Sequence, residues 1–367
     1  MAEVDKKIET VEETPQEEGV SVEIENKDLP ETVDEQISLE EKFFENIAAD
    51  LDERVLQKMS KQLMDDYKRD RVSRKDWEDS VSKGLDLLGF KYTQLTKPFR
   101  GSASVTHPLL AEAATQFQAQ AYKELLPSDG PVRTKVVGTE DDATANQASR
   151  VQDFMNYMLM EEMEEYTPEM DQLLFHLPLT GSAFKKVYYD EVMKRAVSKF
   201  VPAEDLVVPY YATDLMDCER ITHVVKMNEN DILKQQKAGF YRDIELKPVQ
   251  GKISDLEKKY QELEGITPSG DKVYSFNILE MHVDLNLDDF IYDEPSKEVK
   301  IPYIVTIDEG SGEVLSIYRN YDMADETKKR KEYFVHFKFL PGLGFYGFGL
   351  IHMIGGLTRT ATQALRQ

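Results

Sequence analysis

Gly181 divides this chain by hydrophobic period, and that change constrains its fold more than any other feature. Before it, apolar residues recur every third or fourth position. After it, they recur every second. Phe44, Ile47, Leu51, Val55, Met59, Leu63 and Tyr67 make one helical series, and Trp77, Val81, Leu85 and Leu88 make another. A third helix is expected over Pro108–Leu126, with proline tolerated at the first helical position. Its Ala111, Ala113, Ala114, Ala119 and Ala121 would let another helix approach closely. Asn146–Tyr166 reads as a fourth, with Val151, Phe154, Met155, Met158 and Met163 on one side. That stripe is expected to be a core face rather than an adaptable methionine surface. Thr167, Pro168 and Glu169 supply N-cap, first helical residue and first-turn acid for a fifth helix carrying Met170, Leu173, Leu174 and Leu177.

Beyond Gly181, FKKVYYD (Phe184–Asp190) and AVSKFVP (Ala196–Pro202) read as paired strands. EDLVVP (Glu204–Pro209) and RITHVVKM (Arg220–Met227) extend the β-rich region, and DILKQQKAG is a short helix closed by glycine. NILEMHVDLNL alternates cleanly. IPYIVTID, EVLSIYRN and YFVHFKF are expected to complete an antiparallel meander, with EGSG as a hairpin turn. VRTKVVG (Val132–Gly138) has a short strand-like pattern, KPFRGSASVTHP reads as a loop, and the charged run following Gly251 as a surface excursion. Helices first, strands next and a helix last is an α+β layout, not a βαβ alternation.

Charge separates the first 40 residues from the rest. They hold 14 Asp/Glu, 3 Lys/Arg and no Phe, Tyr or Trp, out of a whole-chain net charge of −24. Such a segment has too little to bury to offset its ordering entropy, so 1–40 is expected to be a disordered acidic tail, either merely solubilising or an arm that orders on a partner. The remainder divides into a mainly helical part (41–180), a β-rich part (181–340), and a glycine-rich turn with the start of a helix (341–367). One cysteine, Cys218, rules out an intrachain disulfide or a CxxC site. MAEVDKKIET lacks the apolar stretch of a signal peptide, no run of about 18 apolar residues is present, and no membrane partner is expected. The acidic balance argues against a tight grip on nucleic acid but suits a surface that DNA passes without sticking. KRDRVSRK (Lys68–Lys75) could touch phosphate; a solvated helix end is the commoner meaning.

Few residues suggest chemistry. Glu280, His282 and Asp284 share one face of a strand and could hold a divalent metal, but no further ligand at suitable spacing supports them, and they are expected to be the polar side of a half-buried strand. His107, His176, His223, His336 and His352 are scattered singly. GxSxG, HExxH and Walker patterns are absent, and TGSAFKK lacks the GK[ST] that cradles phosphate.

LPGLGFYGFG (Leu340–Gly349) contains GLGFYG, a literal G-x-G-x-x-G between a strand and a helix. A dinucleotide site also needs a following βαβ unit and an acid about 20 positions on. Neither is present, and Phe345 and Tyr346 fill the loop where a cofactor needs bare backbone. Gly342, Gly344, Gly347 and Gly349 are therefore expected to shape a structural turn. Leu350, Ile351, Ile354, Leu357, Ala361, Ala364 and Leu365 continue with helical spacing, interrupted by Gly355 and Gly356 at about 1 kcal/mol each relative to alanine. Nothing terminates that pattern before Gln367, so the helix is expected to run on in a longer polypeptide.

The order of blocks ELLPSDGPVR (Glu124–Arg133), TEDDATANQASRVQDFMNYML (Thr139–Leu159), LPLTGSAFKKVYYD (Leu177–Asp190), PAEDLVVPYYATDLMDCERITHVVKM (Pro202–Met227), ILEMHVDLNL (Ile278–Leu287), PYIVTIDEGSGEVLSIYRNY (Pro302–Tyr321) and the closing Phe334–Gln367 resembles portal proteins, the head-to-tail connectors of short-tailed bacteriophages. The resemblance runs from roughly Lys97 onward. It implies a portal-like α+β fold whose glycine-rich turn joins the last wing strand to a channel-directed helix, with stem and clip segments missing. It implies a homo-oligomeric ring, typically of twelve subunits, at one capsid vertex of the virion, assembled in the host cytoplasm. Double-stranded DNA would pass through it without sequence specificity during packaging and ejection. The implied partners are the terminase large subunit, the major capsid and scaffolding proteins and tail adaptor proteins. No catalytic residue, metal or cofactor is implied. Two other readings stay open: an enzyme binding a nucleotide cofactor at GLGFYG, and a non-viral adaptor whose acidic tail docks on a basic partner.

Overall fold

A computed structural model describes residues 42–90, 105–139, 141–190, 193–246, 255–265, 275–292 and 299–366. The expected acidic tail and most of the loop KPFRGSASVTHP lie outside them. Residues 44–367 form one compact unit. Its helices are α1 (Glu53–Ser73), α2 (Lys75–Leu85), α3 (Leu109–Leu125), α4 (Asp142–Tyr157), α5 (Tyr166–Thr180), α6 (Glu229–Lys237), α7 (Asp255–Glu264) and α8 (Leu350–Arg366). Its strands are β1 (Ser182–Asp190), β2 (Arg195–Pro202), β3 (Leu206–Val207), β4 (Arg220–Asn228), β5 (Ser275–Leu285), β6 (Ile301–Asp308), β7 (Val314–Arg319) and β8 (Phe334–Lys338). With 48% helix, 21% strand and both sheets antiparallel, the fold is α+β. No helix among the described residues is long and apolar enough to cross a membrane.

The strands form a five-stranded sheet, β3-β4-β5-β6-β7, and a three-stranded sheet, β2-β1-β8. The change to period 2 at Gly181 therefore coincides with the start of β1. Leu56, Met59, Leu63 and Tyr67, one stripe of α1, pack on Leu279, Met281, Val283, Val305 and Ile307 of the larger sheet. Burial of each such side chain is worth roughly 1.5–3 kcal/mol. A second core, with Phe184, Val201, Leu206, Ile221, Phe334 and Phe345, joins residues of both sheets.

Four expectations are corrected. First, β8 does not complete the meander; it pairs with β1, Ser182 opposite Lys338 and Lys186 opposite Phe334. The outer edge of β7 is already occupied. Asn46 accepts from Ile317 N (3.0 Å) and donates to the Leu315 carbonyl (3.1 Å), and Arg242 N donates to the same carbonyl. Second, Val132–Gly138 is not a strand. Its backbone is instead held by side chains of α4: Asn156 accepts from Val132 N (2.8 Å) and donates to Val132 O (3.1 Å), and Gln152 accepts from Thr134 N (3.2 Å). Third, the methionine stripe is not a core face. α4 has no buried residue, and Val151, Phe154 and Met155 are exposed, while Met163 alone of the five is buried. Fourth, helix starts shift. An Asp141–Thr144 capping box starts α4 earlier than expected, Pro108 is the N-cap of α3, and α5 begins at Tyr166 ahead of Thr167 and Pro168.

Candidate functional site

The turn between β8 and α8 is closed by a bridge between Leu340 and Phe348, with Phe348 N donating to Leu340 O at 2.8 Å. Three of its glycines are needed for backbone approach. A Cβ on Gly342 would meet Tyr346 O at 2.4 Å, one on Gly347 would meet Gly181 O at 2.4 Å, and one on Gly349 would meet Leu179 O at 2.2 Å. Gly181 caps α5 with φ +89° and faces the same turn from the other side. The C-terminal end of α5 and the glycine-rich turn thus cross backbone against backbone, which only glycine permits. The remaining glycines differ: Gly344 and Gly356 face open space, and a Cβ on Gly355 would lie 3.3 Å from a Leu87 methyl carbon, a flexible neighbour.

Both aromatics of GLGFYG point inward. Phe345 is buried beside Phe184 (ring centroids 5.9 Å) and His336 (4.8 Å). Tyr346 stacks on Trp77, centroids 4.5 Å apart at 17°, and its hydroxyl donates to Leu206 O (3.2 Å). The same hydroxyl accepts from Arg74, whose guanidinium also reaches Leu206 O (2.8 Å), Ala203 O (3.1 Å), Glu204 O and the Glu78 carboxylate (2.8 Å). One arginine at the α1–α2 joint therefore fastens the entry to β3 and the glycine-rich turn together. Ser182 Oγ accepts from Gly347 N (2.8 Å) and lies 3.1 Å from His336 Nε2; burial pushes that imidazole down to about 3, so it is neutral.

Three amides at the end of the turn donate within the chain. Gly347 N donates to Ser182, Phe348 N to Leu340 and Gly349 N to His352 Nδ1 (3.1 Å). A pyrophosphate cradle needs such amides pointing outward at a helix start.

From this anchored turn, α8 runs with Ile351, Gly355, Thr358 and Thr362 inward. Gly84 of α2 lies directly under Ile351: a Cβ there would come within 2.1 Å of its side chain. Thr362 accepts from His107 N, and Arg366 donates to Val105 O (2.7 Å). On the opposite face Met353 and Leu357 are exposed. All six glycines singled out by sequence thus fall on one junction, but only Gly342, Gly347 and Gly349 are required there by contact.

Glu280, His282 and Asp284 do not form the polar side of a half-buried strand. Glu280 receives Lys186 of β1 on both oxygens (2.7 and 2.6 Å) and pairs with His282 Nε2 (2.8 Å). His282 is buried and lies 3.4 Å from Asn320. The ion pair ties the two sheets together. Burial opposes the Glu280 charge, yet Lys186 and His282 hold its carboxyl well below the usual range. Asp284 stands apart, and burial raises its carboxyl. Among the described residues no group of three or more His, Cys, Asp or Glu is placed to hold a metal.

The basic cluster Lys68–Lys75 is in part the expected solvated helix end, with Lys68, Arg69 and Lys75 exposed where α1 ends and α2 begins, but several of its cations also face groups of the same chain. Lys68 lies near Asp65, Arg69 binds Asp66, Arg71 faces Glu309 (3.6 Å), and Arg74 is buried as above. Arg220 of β4 completes this joint with two bonds to Asp70 (2.9 and 2.7 Å) and one to Asp66 (3.1 Å). Sequence reasoning missed Arg74 and Arg220; the available signal was an i,i+4 acid pair, Asp66 and Asp70, on the stripe flank of an otherwise apolar helix face. A cavity of about 570 Å³ opens beside this joint, walled by Tyr67, Phe175, His176, Phe200, Glu204 and Tyr260 among others.

No protein-family model matches the sequence, and no curated protein matches it. The molecule is thus defined by its own geometry: an α+β unit of two antiparallel sheets with a helix anchored to both through a glycine-rich turn.

Proposed function

We propose that this chain is the wing-containing part of a bacteriophage portal, a structural ring subunit through which double-stranded DNA enters and leaves a capsid. The observation that carries the reading is the anchored junction. A conduit helix must leave the wing in a fixed direction under load, and here Gly347 and Gly349 let the turn lock against the end of α5, Gly342 lets it close on Tyr346, and Arg74, Phe345 and Tyr346 fasten it to the cores. The order of sequence blocks from Glu124 to the closing helix supports it. So does the net charge of −24, which removes the phosphate-driven attraction that would stall moving DNA. Terminase, capsid, scaffolding and tail adaptor proteins would be its partners.

The nucleotide-enzyme reading has less support, since Phe345 and Tyr346 of the turn pack into the core and the amides of Gly347, Phe348 and Gly349 are donated within the chain. Sedimentation velocity across a concentration series tests the proposal. A discrete species of about twelve copies is expected; a monomer at every concentration overturns it. Titration with NAD or ATP, followed by fluorescence of Trp77 stacked on Tyr346, is expected to give no change.

A further inference from the structure

The cavity of about 570 Å³ beside the α1–α2 joint has the size of a small-molecule site, and two features of its wall bear on what it would hold. Part of the wall is aromatic. The His176 ring of α5 is met by Phe200 of β2 (centroids 5.2 Å), Tyr260 of α7 (5.9 Å) and Phe175 (6.1 Å). Burial pushes His176 down to about 4, so this ring is neutral and adds no positive charge. The charge on the wall is also unbalanced. Six acids, Glu78, Glu169, Glu204, Asp205, Glu264 and Glu309, line the cavity against three cations, Arg71, Arg74 and Lys226. Two of those cations already face acids: Arg74 binds Glu78, and Arg71 lies 3.6 Å from Glu309.

Glu204 Oε2 and the Tyr260 hydroxyl are buried without a hydrogen-bond partner among the described residues. They stand close enough for the Glu204 charge to add to burial in raising the Tyr260 hydroxyl. Buried polar atoms are rarely left unmet, so such a pair marks a place for a further group. We propose that the cavity binds an organic ammonium ion, a primary amine with an aromatic or short alkyl body. Its N–H groups donate to Glu204 Oε2 and to the Tyr260 hydroxyl oxygen, and its body lies against Phe175, His176 and Phe200. A protonated amine supplies several donors together with the positive charge that the wall is short of. A neutral alcohol brings one donor and no charge, and an anion meets the surplus of acids. Aromatic faces attract a cation most strongly where water is excluded. The cavity is walled within a single copy, so the proposal does not rest on assembly into a ring.

Isothermal titration calorimetry of the full chain with phenethylamine, phenethyl alcohol and hydrocinnamate tests it. The amine is expected to bind saturably at millimolar concentration or below, at least about tenfold more tightly than the alcohol, and the carboxylate not at all. Glu204→Gln keeps the side-chain shape and removes the charge. It is expected to weaken the amine at least about tenfold and to leave the alcohol unchanged. Leu263→Trp adds bulk to the wall at a second point and is expected to weaken amine and alcohol alike. Circular dichroism checks that each variant folds. No saturable heat from the amine would leave water as the occupant and overturn the site. Amine binding that survives Leu263→Trp would lie elsewhere on the molecule and also overturn it. Alcohol bound as tightly as amine, or amine bound unchanged by Glu204→Gln, would overturn the ammonium chemistry.

Discussion

The Arg74 guanidinium joins α2, the entry to β3 and the glycine-rich turn. Arg74 is buried, and its charge survives there because Tyr346, Glu78 and three carbonyls surround it. Truncating one partner of a buried charge network strands the others, at about 3–5 kcal/mol. Arg74→Ala is therefore expected to lower the urea midpoint by that equivalent, and Arg74→Lys should recover little, since one ammonium cannot reach all five acceptors. A midpoint within about 0.5 kcal/mol of wild type would show that the joint is incidental.

Buried imidazoles give a pH signature at the same scale. Burial pushes His176 down to about 4 and His223 and His336 to about 3, from an unfolded value near 6.5. Below 6.5 the unfolded chain binds protons that the folded chain refuses, so stability is complete above that pH and is lost as pH falls. Each histidine contributes up to about 1.4 kcal/mol per pH unit, discounted because all three rings retain some exposure. Glu204 acts in the opposite direction. Burial and Asp205 push it up to about 7, so over the same window the folded chain holds its proton more tightly than the unfolded one. Urea midpoints measured from pH 7 to pH 5 should fall, and Glu204→Gln should steepen that fall. A flat profile in both would contradict the neutral, buried state of these rings.

At the scale of elements, the glycines separate into two kinds. Gly349→Ala forces a Cβ to within 2.2 Å of a backbone carbonyl and should destabilise sharply. Gly356→Ala meets open space inside α8 and should stabilise the chain by up to about 1 kcal/mol. Thermal melts of the two at low concentration check this, and equal shifts would mean that the turn is not locked by close approach. The sequence pattern shows neither difference, because both are G in a glycine-rich stretch. What the pattern does show is α1 and α2, whose apolar stripes face cores, and the hairpins β1–β2 and β6–β7, whose partners are neighbours in sequence. It misplaces β8, since an alternating strand carries no mark of which edge it joins; that was decided by Asn46 and Arg242 occupying β7. It misreads α4 for a related reason. Val151, Phe154 and Met155 have core-like spacing, and periodicity registers an apolar face without saying whether the same chain covers it.

For the whole molecule, charge and assembly are the informative quantities. A net charge of −24, with Arg69, Arg71 and Arg74 of the basic cluster facing acids of the same chain, disfavours a grip on DNA. Gel-shift titration with linear duplex DNA at low salt is expected to show no complex, and a salt-dependent complex would point to a phosphate-binding surface instead. The alternation of periods at Gly181 gave access to the α+β class, whereas closure into a ring depends on exposed faces and lies beyond any single-chain pattern. Negative-stain electron microscopy of concentrated protein examines the central claim most directly. Annular particles of uniform diameter with a central opening are the predicted result; dispersed single copies, or filaments that never close, would contradict it.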